Sequence, residues 1–289
     1  MKNNKFKYFN GNRRNSKYLL LLINLFLLLF NSKKEKFEKV RFGLKLCLCT
    51  YGKKENKYIR EFIEYYKKYG VDKIYLYDNN DRKGERFEDV IGDYILENFV
   101  EIIDFRGIPY AYLKIMNDCY QKNLNKYDWL IFYEIDEFLF LKNCTNIKYY
   151  LNQTKFNDCQ KIQLNWVHRS DNNFFYYKNI SVIKRFTQLG KNVKKNKFNR
   201  LGFVKTIIRG NISINITNNH LLNEKIKGCD GEGRFIKYIN HYYSKSLEEF
   251  VNKLKRGDGE KGATKKNDYY QISHIFYNYN VINFFILIN

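Results

Sequence analysis

Directly after an unbroken apolar run from Trp129 to Tyr133, the chain places three carboxylates in four positions, Glu134, Asp136 and Glu137. The run is too short for a helix and rich in β-formers, so it predicts a core strand. Strand alternation would put Glu134 and Asp136 on one face and Glu137 on the other. Two carboxylates side by side at the end of a core strand repel each other and resist desolvation. A divalent cation is the usual remedy; hard oxygen ligands suit Mg²⁺ or Mn²⁺, which can in turn hold a diphosphate. The competing reading is a strand end whose acids pair with nearby lysines, and spacing alone does not separate the two.

The elements that must position these acids alternate strand and helix. Strands are predicted at Leu44–Thr50, Val71–Tyr77, Val100–Phe105 and Trp129–Tyr133. The helices between them are Glu55–Tyr69, Phe87–Leu96 and Ala111–Asn123. The first helix shows Tyr58, Phe62, Ile63, Tyr66 and Tyr69 at helical spacing and ends at Gly70. This βαβ rhythm implies a mostly parallel, doubly wound sheet with helices on both faces. In such sheets ligands sit beyond the carboxyl ends of the strands. Thr50–Tyr51, Asp78–Asp81 and Glu134–Glu137 should therefore converge on one edge. Farther on, Lys161–Val167 and Ile236–Tyr242 read as strands and Ser246–Arg256 as an amphipathic helix. Lys205–Arg209 and Ile212–Ile216 read as a hairpin around Gly210.

Composition bounds the partners. With 289 residues and 44% hydrophobic content, one large domain plus appendages is expected. The net charge of +22 suits an acidic partner, but the lysines are spread along an Asn-, Ile- and Tyr-rich chain with no nucleic-acid motif, so nucleic acid is not expected. Six cysteines without a C-x-x-C pair argue against zinc and permit disulfides. Residues 1–17 form a basic tail. Residues 18–30 are nearly all Leu, Ile and Phe and span roughly 20 Å, which fits a short signal anchor with its basic end in the cytosol. Residues 31–41 are a charged stem, 42–260 the catalytic domain with a lumenal location, and 261–289 a divergent tail. Sequons at Asn143, Asn152, Asn179, Asn211 and Asn215 agree with a secretory, Golgi-type location.

Four pieces in order resemble glycosyltransferase family 92, a GT-A-type family, from about Leu44 to Gly259. They are Glu55–Asp81 with its Gly-Val-Asp and Tyr-Asp-Asn, Trp129-x-x-x-x-Glu-x-Asp-Glu-Phe138, His241-Tyr-x-x-Lys-Ser246, and Lys253-x-x-Arg-Gly-Asp258. Glu134 stands where the family usually has the first Asp of its DxD motif. The resemblance implies a GT-A-like single domain and transfer of a hexose from a nucleotide sugar such as UDP-galactose to a glycan acceptor, with Mn²⁺ or Mg²⁺. It implies Asp136 as metal ligand, with Glu134 assisting and His241 completing the set; His220 is the rival histidine. Thr50, Glu55 and Asp78 would frame the nucleoside, and Lys245 would hold a phosphate oxygen. Asp171 and Glu232, in polar turn-like stretches, are candidates for the base of an inverting transfer. Trp166 is either a sugar-stacking or a core residue. The alternative function is a catalytically impaired descendant that binds glycan or nucleotide without turnover.

Overall fold

The centre of the molecule is a four-residue alternation that feeds two cores at once. In strand β1 (Leu46–Gly52), Leu46 and Leu48 face one side of the sheet and Cys47 and Cys49 the other, all essentially buried. A parallel strand covered on both faces reads as a continuous apolar run, which explains its sequence. On one face lie helix α1 (Asn56–Lys68), through Tyr58, Ile59, Phe62, Ile63 and Tyr66, and helix α2 (Glu88–Leu96), through Ile91. On the other lies helix α3 (Tyr112–Lys122), through Tyr112, Ile115, Met116, Cys119 and Tyr120. Strand β2 is Lys73–Asp78, β3 Val100–Asp104 and β4 Trp129–Phe132. Gly70, at φ 92°, lets α1 turn back into β2 with Val71 donating to the Tyr66 carbonyl at 3.1 Å.

The computed structural model describes residues 43–190, 204–218, 220, 222–223, 225–231 and 236–257. The expected tail, anchor and stem at 1–41, the candidate base Glu232, and the tail at 261–289 lie outside the described residues. No helix among the described residues is long and apolar enough to cross a membrane.

The remaining strands are β5 (Glu137–Leu141), β6 (Lys161–His168), β7 (Val204–Arg209), β8 (Gly228–Asp230) and β9 (Lys237–His241). Short helices α4 (Ile147–Leu151) and α5 (Val182–Arg185) precede the last helix, α6 (Leu247–Arg256). The sheet order is β3-β2-β1-β4-β7-β6-β9-β5, with β8 on β6. The first four strands are parallel, and β6 is parallel to both β8 and β9; β7 runs antiparallel to β4 and β6, and β5 to β9. The expected mostly parallel sheet with helices on both faces is what forms, with antiparallel strands at β7 and at the β5 edge.

Two local expectations are corrected. The hairpin around Gly210 does not form: β7 inserts between β4 and β6, and residues 212–216 are not a strand. Side chains of α3 replace the missing partner. Tyr120 donates to the Ile212 carbonyl at 2.6 Å, Gln121 to Ile214 at 2.8 Å, and Asn117 exchanges two 2.8 Å bonds with Ile216. The second correction is in the acidic stretch. The chain turns at Ile135–Asp136 and a new strand starts at Glu137, so strand alternation does not apply across Glu134–Glu137.

Two disulfides form, Cys49–Cys119 tying β1 to α3 and Cys159–Cys229 tying the approach to β6 onto β8; Cys47 and Cys144 are free thiols.

Candidate functional site

The acidic turn is built by its own carboxylates and then pinned to a distant strand. The Glu137 amide donates to the Glu134 carbonyl at 2.9 Å, and the Glu137 carboxylate accepts from the Glu134 amide at 2.9 Å, closing the turn from both sides. Strand β5 then pairs with β9 so that Glu137 stands opposite His241, and the Tyr242 amide donates to the Asp136 carbonyl at 2.9 Å. Residues 105 positions apart are thereby brought together: His241 Nε2 lies 3.5 Å from Asp136 Oδ1. Both atoms are buried and face each other as a close pair, which helps hold the Asp136 carboxyl down.

Lysines, rather than a metal alone, supply the charge this turn needs. Lys205, fully buried on β7, places its ammonium 2.6 Å from Glu134 and 3.4 Å from Glu137. Glu137 therefore points to the same side as Glu134, against the alternation expected of a continuous strand. Lys253 of α6 lies 2.7 Å from Asp136 Oδ2, and Lys245 lies 3.9 Å from the same oxygen. Burial raises all three carboxyls, but the outcome differs. For Glu134, Lys205 outweighs burial and holds the carboxyl below its usual range. For Asp136, Lys253, His241 and Lys245 hold it well below. For Glu137, burial prevails over Lys205, and with the neighbouring acids the carboxyl is pushed up to about 8. Burial draws the Lys253 ammonium down, but Asp136 outweighs it and keeps it above the ordinary lysine range.

Of these groups Glu134, Asp136 and Lys253 line a cleft of about 270 Å³ beyond the carboxyl ends of β1, β2 and β4. Tyr51, Asn79, Glu134 and Asp136 line it, so the three polar clusters expected at one sheet edge do meet there. Ile108, Pro109 and Tyr110, following β3, form a rim, and Lys53, Glu55, Lys253 and Arg256 complete the polar wall.

The expected site residues are distributed unevenly about this cleft. Glu134 and Asp136 line it, as does Glu55, whose carboxylate pairs with Arg256 and keeps one buried oxygen without a hydrogen bond. Thr50 is buried one residue behind Tyr51, its hydroxyl unpartnered. Asp78 is already committed: one oxygen accepts from Arg106 Nε at 2.7 Å and the other from the Asn80 amide at 2.9 Å. Lys245, at φ 51°, sits over the Tyr58 ring at 4.3 Å and near Asp136, behind the cleft wall. Asp171 folds onto its own loop, accepting from the Asn173 amide at 3.0 Å. Trp166 packs on His241, His220 and His168 at ring separations of 4.4, 4.8 and 5.8 Å. His220 is turned to the Val204 carbonyl at 3.2 Å. Among residues whose role the sequence did not suggest, Lys205 is a lysine fully buried in a strand with Val204, Ile207 and Ile208. Lys253 and Arg256 sit three apart on α6, off its Leu247, Phe250, Val251 and Leu254 stripe. Those placements were the available signals.

A divalent cation on this turn would draw on Glu134, Asp136 and His241. Among the described residues no group of three or more His, Cys, Asp or Glu side chains is arranged to hold one. Glu134 is engaged by Lys205. That leaves Asp136 Oδ1 and His241 Nε2, buried and 3.5 Å apart, as the two atoms the protein could offer such a site.

The sequence model of the family described as Glycosyltransferase family 92 matches residues 43–276. No curated protein matches the chain. Among solved structures, S. aureus TarS aligns at 8% identity and TM-score 0.38, covering 81% of this chain and 43% of that one. TarS 1–349 in complex with UDP-GlcNAc aligns at 10% identity and TM-score 0.41, covering 81% and 72%. The chain thus spans less than half the length of the longer TarS structure.

Proposed function

The chain belongs to glycosyltransferase family 92, and from that premise we propose that it transfers a hexose, galactose, from a UDP-linked donor to a hydroxyl of a glycan acceptor. The observation that carries this reading is the cleft at the strand ends. There Asp136, whose Oδ1 stands 3.5 Å from His241 Nε2, meets two cationic side chains, Lys253 and Arg256. In the transfer the acceptor oxygen bonds to the anomeric carbon as the bond from that carbon to the diphosphate breaks, negative charge develops on the leaving phosphate, and the acceptor proton passes to a carboxylate base. Lys253 and Arg256 supply positive charge where that leaving group develops. A divalent cation, Mn²⁺ or Mg²⁺, held by Asp136 and His241 would neutralise the diphosphate.

Glu55 and Tyr51 frame the nucleoside end. Asp78 contributes by holding Arg106 and the loop that carries Asn79 rather than by contacting the base. Lys245 tunes Asp136 from behind. Glu232 or Asp171 serves as base for an inverting transfer. The lumenal, signal-anchored placement is supported by the apolar segment at 18–30, by two disulfides, which persist in oxidising compartments, and by exposed sequon residues Asn143, Asn179, Asn211 and Asn215.

The test is a panel of UDP- and GDP-hexoses incubated with the full chain and Mn²⁺, with release of free nucleotide as readout. UDP-galactose turnover lost in Asp136→Ala is expected; no turnover of any nucleotide sugar would overturn the enzyme. A specific observation favours the second reading, a donor-binding protein without turnover: lysines already satisfy Glu134 and Asp136. UDP binding without turnover of any nucleotide sugar would establish it.

A further inference from the structure

At the mouth of the cleft, neither the backbone nor the ring of Tyr110 rests where a tyrosine normally does. Its φ is 51°, in the left-handed region that bulky side chains seldom occupy. The residue is 63% exposed, so core packing does not offset that strain. Yet it lines the cleft with Ile108 and Pro109, and its ring stacks on no other ring among the described residues.

The loop beneath the ring is fixed on both sides. Asn79 donates to the Phe105 and Ile108 carbonyls at 2.8 and 2.9 Å, and the Gly107 amide donates to the Asn80 carbonyl at 3.0 Å. Pro109 restricts the backbone just before Tyr110. Just after it, Ala111 is fully buried and its carbonyl accepts from the Ile115 amide at 2.8 Å, which opens helix α3. A ligand meeting this ring therefore has little loop freedom to quench.

These bonds tie the Tyr110 loop to the exit of β2. Asp136 follows β4, which lies two strands away across β1, about 10 Å at the usual strand spacing. That gap is comparable to the length of an extended nucleoside diphosphate. With its phosphates toward Lys253 and Arg256, such a ligand brings its base to the Asn79 and Tyr110 end of the cleft. An aromatic ring with an open face suits the π-face of a base.

We propose that Tyr110 is a donor-binding residue whose ring stacks on the uracil of the nucleotide sugar. This rests on the nucleotide-sugar reading above.

Calorimetric titration of the full chain with UDP tests the assignment without needing an acceptor. Glycine removes the ring and also relieves the backbone at this φ. Tyr110→Gly should therefore melt no lower than the wild type, yet bind UDP about tenfold more weakly or worse. Tyr110→Asn, which also tolerates this backbone, should behave alike. Tyr110→Phe and Tyr110→Trp keep a π-face and should bind UDP within about threefold of the wild type. Damage to the loop would not be rescued by ring type in this way. The stacking role is overturned if folded Tyr110→Gly or Tyr110→Asn binds UDP as tightly as the wild type, or if Tyr110→Phe loses as much affinity as they do. In either case the wild type still binds UDP and the donor reading stands. If the wild type binds no UDP, the donor reading itself falls.

Discussion

Lys205 illustrates how one buried side chain can decide whether an acidic turn is tolerable. Its ammonium, wholly buried, meets Glu134 and Glu137 and lies 3.3 Å from the Tyr112 hydroxyl. Removing one partner of a buried ion pair costs about 3–5 kcal/mol because the other charge is left uncompensated. Lys205→Met should therefore lower the melting temperature by about 10 °C or more. Glu134→Gln in the same chain should recover part of the loss, because it removes the stranded charge. Differential scanning calorimetry of the two variants checks this. A second buried pair sets acid sensitivity. Burial pushes the Glu249 carboxyl up, but Arg185, Ser246 and Tyr58 outweigh it and hold it below the usual range. A carboxyl depressed in the folded state contributes stability that is present above its unfolded value of about 4.3 and is lost as pH falls through its folded value. Urea midpoints should accordingly fall on acidification below about pH 4.5. In Arg185→Met the neutral-pH midpoint should drop and the acid-side fall become shallower.

At the scale of elements, the two disulfides act on different parts of the sheet. Cys49–Cys119 clamps central strand β1 to α3, and Cys159–Cys229 clamps β6 to the three-residue strand β8; each closes a separation of 70 residues. Chain-entropy reasoning assigns each about 4 kcal/mol. Reduction under native conditions should lower the melting temperature by about 10 °C or more. A Cys159→Ser/Cys229→Ser double variant should reproduce part of that shift. Strand β7 is the other element that reorganises the sheet. It carries Lys205 between β4 and β6, and its following segment is held by Asn117, Tyr120 and Gln121 rather than by a strand. Gly210 is needed at that exit, since a Cβ there would meet the Tyr127 carbonyl oxygen at 1.9 Å.

For the whole molecule, the cleft gathers the ends of β1, β2 and β4 with helix α6, which lies near the end of the described chain. Ligand binding there should stabilise the fold as a unit. At about 100 times its Kd, a donor adds about 2.7 kcal/mol, or roughly 5–10 °C for a domain of this size. UDP-galactose with Mn²⁺ should raise the melting temperature by that amount, and Asp136→Ala should abolish the rise while lowering the ligand-free value, because it strands the largely buried Lys253 ammonium. The high net positive charge needs no nucleic-acid partner to account for the cleft, because the cations lining it face carboxylates: Lys53 pairs with Asp81, Lys253 with Asp136 and Arg256 with Glu55.

The local rhythm of apolar residues was enough to place β1 to β4, the three long helices between them and the sheet edge where Tyr51, Asn79, Glu134 and Asp136 meet. Burial on both faces imposes continuous runs, and helical burial imposes its own spacing, so each leaves a short-range signature. The helix α6 was legible for the same reason, whereas the motif around His241 was legible only as a resemblance to the family. What only the tertiary structure decided was how the charges pair. That Glu137 turns inward to Lys205, that Lys253 reaches Asp136, and that His241 stands beside Asp136 all depend on residues 68 to 117 positions apart. Electrostatic pairing across such distances is set by strand order and by a turn at 135–136, and neither leaves a periodic trace in the residues that take part.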